Sequence, residues 1–161
     1  MLDIVTFGSE ILGRKAEPVT EIDDGIRTLA TDMLEAMAGK GIGLAGPQVD
    51  RALRVFVTNV EGDKPRVFIN PEIVLTSQEL VAIEEGCLSL PRLYLDVIRP
   101  ESVRVQAWNE KGRPFTVETD GLLARVILHE YDHLEGILFI DRLKAGKRDR
   151  ALFQYSRLTK A

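Results

Sequence analysis

The sequence feature that most constrains this chain is the segment HEYDHLEG, residues 129–136, which holds both histidines of the protein. Residues four apart on an α-helix lie one above the other, so His129 and His133 would direct two imidazoles toward one point. Such a pair suits a divalent metal, and Glu130 stands close enough to exchange a proton with water there. A helix that carries two histidines for packing or solubility is the alternative, and we favour the metal site.

A catalytic metal of this type usually has a third protein ligand. Phe139 occupies the position where zinc proteases with an extended motif have another histidine, and no glutamate follows the motif. Asp141 lies just beyond the helix. The remaining candidate is the single cysteine, Cys87, in EEGCLSLP, because a thiolate is a strong ligand for a borderline or soft divalent metal. A small buried hydrophobic residue is the alternative for this cysteine. The incomplete histidine pair favours a Cys-His-His site with one open position.

The segment GIGLAGPQ, residues 41–48, matches the glycine pattern of dinucleotide-binding loops. Such a site requires a strand before the loop and a helix after it. Here the predicted order is reversed and Pro47 interrupts the loop, so we reject nucleotide binding. The loop is either a flexible connection or a backbone that pairs with an extended ligand. Gln48 carries a neutral amide that could donate a hydrogen bond to an oxyanion, although an ordinary surface glutamine is the alternative.

Periodicity predicts an α+β fold in one domain, residues 1–161. The predicted fold has antiparallel β-sheets packed around a central motif-bearing α-helix, with an N-terminal helix and a short C-terminal helix. The sequence segments behind this prediction are a helix in DDGIRTLATDMLEAMAGKG, a strand at 53–60, shorter β signals at 67–69 and 79–84, a hairpin of ESVRVQAWNE with RPFTVETD, a helix from about Asp120 to Leu134, and a helix in KRDRALFQYSRL.

Composition and charge exclude several classes of protein. A net charge of −4 gives no case for DNA or an anionic membrane as partner. No apolar run reaches the roughly 18 residues of a membrane span. One cysteine excludes an internal disulfide, and the start of the chain lacks a signal-peptide pattern, so we expect the cytoplasm. The tail at 142–161 has seven basic residues and one acid, which suits a solvated end or a docking surface for an acidic partner or RNA.

Three segments together resemble the peptide deformylase family. GIGLAGPQ, EGCLS and HEYDHLEG match its signatures G-x-G-L-A-[AG]-x-Q, E-G-C-L-S and H-E-x-D-H-L-x-G, in the family's order. The start EILGRKAEPV is also similar, so the resemblance covers nearly the whole chain. It implies a metal-dependent hydrolase that removes the N-formyl group from the formylmethionine of newly synthesised proteins and releases formate. It also implies one divalent metal per chain, usually iron(II), where zinc, nickel or cobalt can also bind.

The resemblance assigns roles to the chemical groups of the site. Glu130 would act as general base on a metal-bound water and then pass the proton to the leaving amine. The Gln48 side chain and the backbone N–H of Leu88 would hold the formyl oxyanion. The implied metal ligands are Cys87, His129 and His133.

Recognition of the peptide is implied in the same way. Backbone groups of Ile42 and Gly43 would pair with the substrate like an added strand. Leu122 and Val126, on the motif helix, would line the methionine pocket. The basic tail is similar in place to the terminal helix by which some members contact the ribosome, so we expect such a contact here.

Three positions depart from the family pattern. Gly46 replaces a more common alanine, which indicates a looser loop. Tyr94 stands where many bacterial members have an arginine that helps to hold the peptide, and Arg125 stands where an apolar pocket residue is usual. We expect a change in affinity rather than loss of activity. Two alternatives remain at this point: a zinc endopeptidase, and an inactive relative that binds metal or formylated peptides.

Overall fold

The fold combines three helices with seven strands, and the computed structural model describes residues 2–159. Met1 and the last two residues of the predicted basic tail, Lys160 and Ala161, lie outside the described residues. The helices are α1 Asp24–Met37, α2 Gly121–Leu134 and α3 Ala145–Leu158. The strands are β1 Gly43–Ala45, β2 Val55–Thr58, β3 Arg66–Thr76, β4 Leu80–Cys87, β5 Leu90–Pro100, β6 Ser102–Trp108 and β7 Pro114–Asp120. Short 3₁₀ helices cover Glu10–Gly13, Gly46–Val49 and Phe139–Arg142.

The strands form two antiparallel sheets. One has five strands in the order β1-β2-β3-β6-β7, and the other is the hairpin of β4 and β5. The predicted α+β class with antiparallel sheets is therefore confirmed. In the five-stranded sheet β1 is an edge strand, so one side of the glycine segment is free of a neighbouring strand.

Helix α2 lies at the centre of the molecule, as predicted. Its residues Ala124, Ile127 and Leu134 are fully buried and pack against the sheet residues Phe56 and Phe68. This apolar face holds the helix on the large sheet, which leaves its other face for the histidines. The chain leaves the helix at Gly136, where φ is +74° and a Cβ would lie 2.8 Å from the backbone of the Glu10–Gly13 segment, so only glycine fits.

The N-terminal helix α1 follows from its sequence pattern. The side chain of Asp23 accepts a hydrogen bond from the N–H of Ile26 and caps the first turn. Leu29, Met33 and Met37 are buried in the cluster that includes β1 and β2. The helix predicted in this segment is therefore confirmed, with its apolar face in the core.

Other strand and helix predictions were incomplete. The predicted strand at 53–60 is the shorter β2, and the signals at 67–69 and 79–84 are parts of the longer β3 and β4. Sequence analysis missed β5, and it placed the start of α3 too late. The segment of β5 begins and ends near prolines and carries one charged residue, Arg99, on its buried side, which obscures the alternation of apolar residues. None of the helices described between residues 2 and 159 has the length and apolar character to cross a membrane.

Candidate metal centre

Three side chains that could hold a metal ion meet between the end of β4 and the inner face of α2. The ligand atoms of Cys87, His129 and His133 all lie within 4.8 Å of one another. The Cys87 Sγ is 3.4 Å from Nε2 of His133. Within residues 2–159 this is the one group of three such side chains. The structure therefore brings together the cysteine and the two histidines proposed from the sequence.

The surroundings of this group fit a bound cation. His129 donates its Nδ1–H to Glu85 over 2.8 Å, which leaves Nε2 of this histidine for a metal. Burial lowers the pKa of His129, but Cys87, Glu130 and Glu85 outweigh it and raise the pKa well above its usual value. Burial, together with the charges of His129 and Arg99, lowers the pKa of His133, which stays neutral as a ligand must be. Negative neighbours that favour a positive charge here would also favour a metal ion.

Glu85 itself is held by two buried arginines. Arg99 donates from Nε and Nη2 to its two carboxylate oxygens, at 2.6 and 3.1 Å, and Arg125 donates from Nη1 at 2.6 Å. Burial raises the pKa of Glu85, but the hydrogen bonds from His129 and Arg99 and their charges lower it to about 2. The carboxylate is therefore ionised, and it holds the ring of His129 in one orientation.

A second carboxylate extends the ion-pair network behind the histidines. Asp132 accepts from Arg99 at 2.8 Å and from Arg142 at 2.7 and 2.9 Å. Because Asp132 lies on the motif helix and Arg99 on β5, this network joins the motif helix to the hairpin that carries Cys87. Removing one partner of such a buried pair typically costs about 3–5 kcal/mol.

A cavity of about 450 Å³ opens beside the three candidate ligands. It contains nine of the ten residues that the sequence proposed for the site. The tenth, His133, lies directly behind Cys87, at the contact given above. The nine are Ile42, Gly43, Gln48, Cys87, Leu88, Leu122, Val126, His129 and Glu130. Residues from separate parts of the chain therefore converge on one pocket.

Glu130 lines this pocket, and one oxygen of its carboxyl group is unpaired within the part of the chain that the structure describes. The residue is only 4% exposed, and its Oε1 has no hydrogen-bond partner among the described residues. Burial and the negative charge of Glu85 raise its pKa to about 7, against the opposing charges of His129 and Arg99. A carboxyl group with such a pKa can both accept and donate a proton near neutral pH.

The comparisons with known proteins agree with this geometry. The sequence model of the family described as polypeptide deformylase matches residues 1–149. The peptide deformylase of Treponema pallidum is 48% identical over 158 residues, which cover 98% of this chain and 97% of that protein. The crystal structure of peptide deformylase from Thermus thermophilus has a TM-score of 0.92 at 43% identity and covers 99% and 98% of the two chains. A Synechococcus elongatus peptide deformylase in complex with actinonin has a TM-score of 0.90 at 44% identity, with 96% and 86% covered.

This chain belongs to the polypeptide deformylase family. It is a metal-dependent hydrolase, and the reaction of the family is removal of the N-formyl group from formyl-Met peptides. The sequence-based predictions of family, reaction and enzyme class are therefore confirmed. The third side chain of the group that could hold a metal is the upstream cysteine, which differs from the ligand pattern expected for the zinc endopeptidase alternative.

The glycine segment of this deformylase is an ordered edge strand rather than a flexible connection. Ile42 O accepts from Asn59 N–H at 2.8 Å, and Gly43 pairs opposite Thr58. In an antiparallel ladder alternate residues point their backbone groups outward, so N–H and C=O of Gly43 face the open edge of the sheet. A Cβ on Gly43 would lie 2.6 Å from the Oε2 of Glu130, so this edge also borders the catalytic cavity.

The structure shows what the three departures from the family pattern do. Gly46 is buried and a Cβ there would lie 2.7 Å from Leu53 O, so the prediction of a looser loop was wrong. The guanidinium of Arg125 is bonded to Glu85, Val97 O and Val81 O, so it clamps the β4–β5 hairpin to α2. The ring of Tyr94 lies over Gly86 at the rim of the cavity and is 61% exposed.

Sequence analysis assigned no role to Glu85 of this deformylase, which contacts the candidate ligand His129, or to Arg99, which holds Glu85. A usable signal exists, because Arg99 continues the buried side of β5 after Leu93 and Val97. A charged residue in phase with the buried positions of a strand requires a buried partner. The partner cannot be identified from the strand alone, since Asp132 lies on α2.

Proposed function

We propose that this deformylase holds one divalent metal with Cys87, His129 and His133 and hydrolyses the formyl amide of formylmethionine N-termini in the adjoining cavity. One observation carries the proposal: the three candidate ligand atoms converge within 4.8 Å of one another beside a cavity that is also lined by the buried Glu130, whose Oε1 has no hydrogen-bond partner among the described residues. A divalent metal bound there supplies Lewis acidity, which lowers the pKa of water and polarises a carbonyl oxygen.

Glu130 moves the proton in this proposal. Its raised pKa lets the carboxylate take a proton from the attacking water and return it to the amine of methionine as the C–N bond breaks. The Gln48 side chain and the backbone N–H of Leu88, both on the cavity wall, donate hydrogen bonds to the formyl oxygen as negative charge develops on it. One such donor is typically worth about 3 kcal/mol in the transition state.

The substrate peptide pairs with the open edge of β1. The outward N–H and C=O of Gly43 supply the backbone hydrogen bonds, and the 39% exposed side chain of Ile42 forms part of the wall. The methionine side chain contacts Leu122 and Val126 on α2, which both line the cavity. Because this contact is apolar, a missing methylene should change kcat/KM only about 10–200-fold.

Iron(II) is the metal we propose, on the basis of the family resemblance, and zinc, nickel and cobalt are the alternatives. A thiolate with two imidazoles suits all four ions. An iron site would make activity sensitive to air through oxidation of Cys87. Metal analysis of protein purified without oxygen, followed by activity after exchange into zinc, distinguishes the cases, because an oxygen-stable native enzyme would contradict iron.

We also propose a cytoplasmic location and contact between the basic C-terminal segment and the ribosome. The predicted basic tail runs from 142 to 161, and within it Lys144, Lys147, Arg150 and Arg157 are exposed. Helix α3 keeps its place through the buried side chains of Ala151 and Tyr155. Reversing the exposed charges to glutamate should abolish co-sedimentation with ribosomes without loss of peptide turnover. Unchanged co-sedimentation would exclude this contact.

Turnover of formyl-Met-Ala-Ser tests the main proposal, with acetyl-Met-Ala-Ser as the control substrate and release of free amine as the readout. We expect rapid release from the formyl peptide alone by iron-loaded protein. Glu130→Gln should keep one metal per chain and lose nearly all turnover. Glu135→Gln is the matched control, because Glu135 lies in the same motif and pairs with Arg54 outside the cavity. A wild-type protein that binds metal but shows no peptide turnover would indicate an inactive relative. Cleavage of casein would indicate an endopeptidase.

A further inference from the structure

The oxyanion donor Gln48 requires a side-chain amide held in one orientation, because its oxygen accepts hydrogen bonds and its nitrogen donates them. The backbone N–H of Ala45 donates to Oε1 of Gln48 over 2.9 Å. A flipped amide would place two donors against each other at that point. Ala45 therefore determines which end of the amide is the NH₂ group, but one contact leaves the amide free to tilt about it.

A second contact removes this freedom. The Oγ of Ser89 accepts a hydrogen bond from Nε2 of Gln48 at 3.2 Å, and the same nitrogen lies 3.5 Å from Sγ of Cys87. Gln48 and Cys87 line the cavity, whereas Ser89 lies behind its wall and is 0% exposed. One N–H of the amide is thus bound on the interior side by Ser89, and the other is directed to Sγ of Cys87 on the cavity wall.

We propose that Ser89 is a positioning residue for hydrolysis: its hydroxyl holds one N–H of Gln48 so that the other points at the formyl oxygen. The inference deepens the proposed function and rests on it. Ser89 does not contact the substrate at any step. It affects the reaction only by orienting the amide of Gln48.

The backbone supports this pairing. Val5 N–H donates to the carbonyl of Gln48, and Phe7 N–H donates to the carbonyl of Ser89, each at 2.8 Å. One N-terminal segment therefore ties together the two parts of the chain that carry the amide and the hydroxyl. Gln48 is 1% exposed, so water cannot replace the hydroxyl if it is removed. The separation between the two side chains is consequently set by the fold.

Removal of the hydroxyl should affect the transition state more than substrate binding. In Ser89→Ala one buried N–H of Gln48 loses its partner, and the amide tilts to find another. We expect kcat to fall about tenfold, as for the loss of one neutral hydrogen bond, with KM unchanged. Gln48→Ala should lower kcat about 10²–10³-fold. The double variant should be no slower than Gln48→Ala, because without the amide Ser89 has nothing to position.

The test compares these three variants with wild type as iron-loaded, full-length proteins. The measurements are kcat and KM for formyl-Met-Ala-Ser, metal per chain and thermal unfolding. Ser77→Ala is the matched control, since the Ser77 hydroxyl also bridges two groups, Glu79 O and Ser102 N–H, away from the cavity. Ser89→Cys replaces the hydroxyl oxygen with a larger sulfur that is a weaker acceptor, and it replaces Ser89→Ala if that variant does not fold.

The outcomes separate this inference from the proposed function. Loss of kcat in Ser89→Ala that disappears in the Gln48→Ala background supports positioning. An unchanged kcat overturns it, and so does a loss that multiplies with that of Gln48→Ala, because the hydroxyl would then act independently of the amide. Absence of turnover in the wild-type protein overturns the proposed function, and the inference with it.

Discussion

Substitution of Gly43 by alanine should disable the enzyme without unfolding it. A Cβ at this position would lie 2.6 Å from Oε2 of Glu130 and 2.7 Å from Cγ1 of Val126, whereas ordinary contacts begin at 3.4 Å. The backbone of Gly43 is not in the left-handed region, so the effect is one of space alone. Glu130 is only 4% exposed and cannot swing into solvent, so it must shift by nearly 1 Å.

The size of the effect follows from that shift. Misplacing a catalytic group by about 1 Å typically costs about 10²-fold in rate. Overpacking of a buried site costs about 1–3 kcal/mol of unfolding free energy. We therefore expect Gly43→Ala to lower kcat/KM for formyl-Met-Ala-Ser about 100-fold or more, while the protein remains folded and binds one metal.

The assay measures turnover, metal content and thermal unfolding of Gly43→Ala beside Gly13→Ala. Gly13 is the matched control, because a Cβ there meets no atom within 4 Å. Its activity should equal that of wild type, and its stability should change by less than about 1 kcal/mol. A Gly43→Ala enzyme within threefold of wild-type kcat/KM would refute the argument, since Glu130 would then tolerate the shift or have no role in catalysis.

Three further substitutions test contacts around the metal centre. Glu85→Gln should weaken metal retention about 10–100-fold by loosening His129, and a chelator competition that shows no change would contradict this role. Arg125→Leu should lower the unfolding free energy by about 3–5 kcal/mol, because Glu85 loses one of its three donor residues and the carbonyls of Val97 and Val81 lose the Arg125 donor. Unchanged denaturant unfolding would show that these bonds do not stabilise the fold. Gly86→Ala places a Cβ 2.5 Å from the ring of Tyr94, so KM should rise at constant kcat, and an unchanged KM would remove Tyr94 from the peptide-binding rim.

Local sequence patterns predicted the elements that depend on neighbouring residues. Helix α1 has a capping aspartate, an apolar face and terminal glycines, and the segment that forms it was predicted as a helix. The hairpin of β6 and β7 was also predicted, because two alternating segments flank a turn. By contrast, β5 was missed, because an arginine in a sequence indicates a surface position. Arg99 is buried only because Glu85 and Asp132 bind it in the folded protein. The stability of β5 comes from partners distant in sequence.

The sequence by itself determined the family and the chemical groups of the site. The spacing of His129 and His133 is a property of one helix, and it persists wherever that helix packs. The motif around Cys87 identified a further candidate ligand only by elimination and resemblance, because no rule of spacing links β4 to α2.

Only the tertiary structure decided how these groups are arranged. Contacts between distant segments decide three features of the site. They bind Arg125 to Glu85, they fit Gly46 into a tight loop, and they bring Ser89 within reach of Gln48. Such contacts form only when the apolar faces of α2 and the two sheets are buried together. The sequence specifies which side chains are present, whereas the distances between them and their desolvation are properties of the packed core. The sequence therefore predicted the chemistry of the site, and the fold determined its geometry.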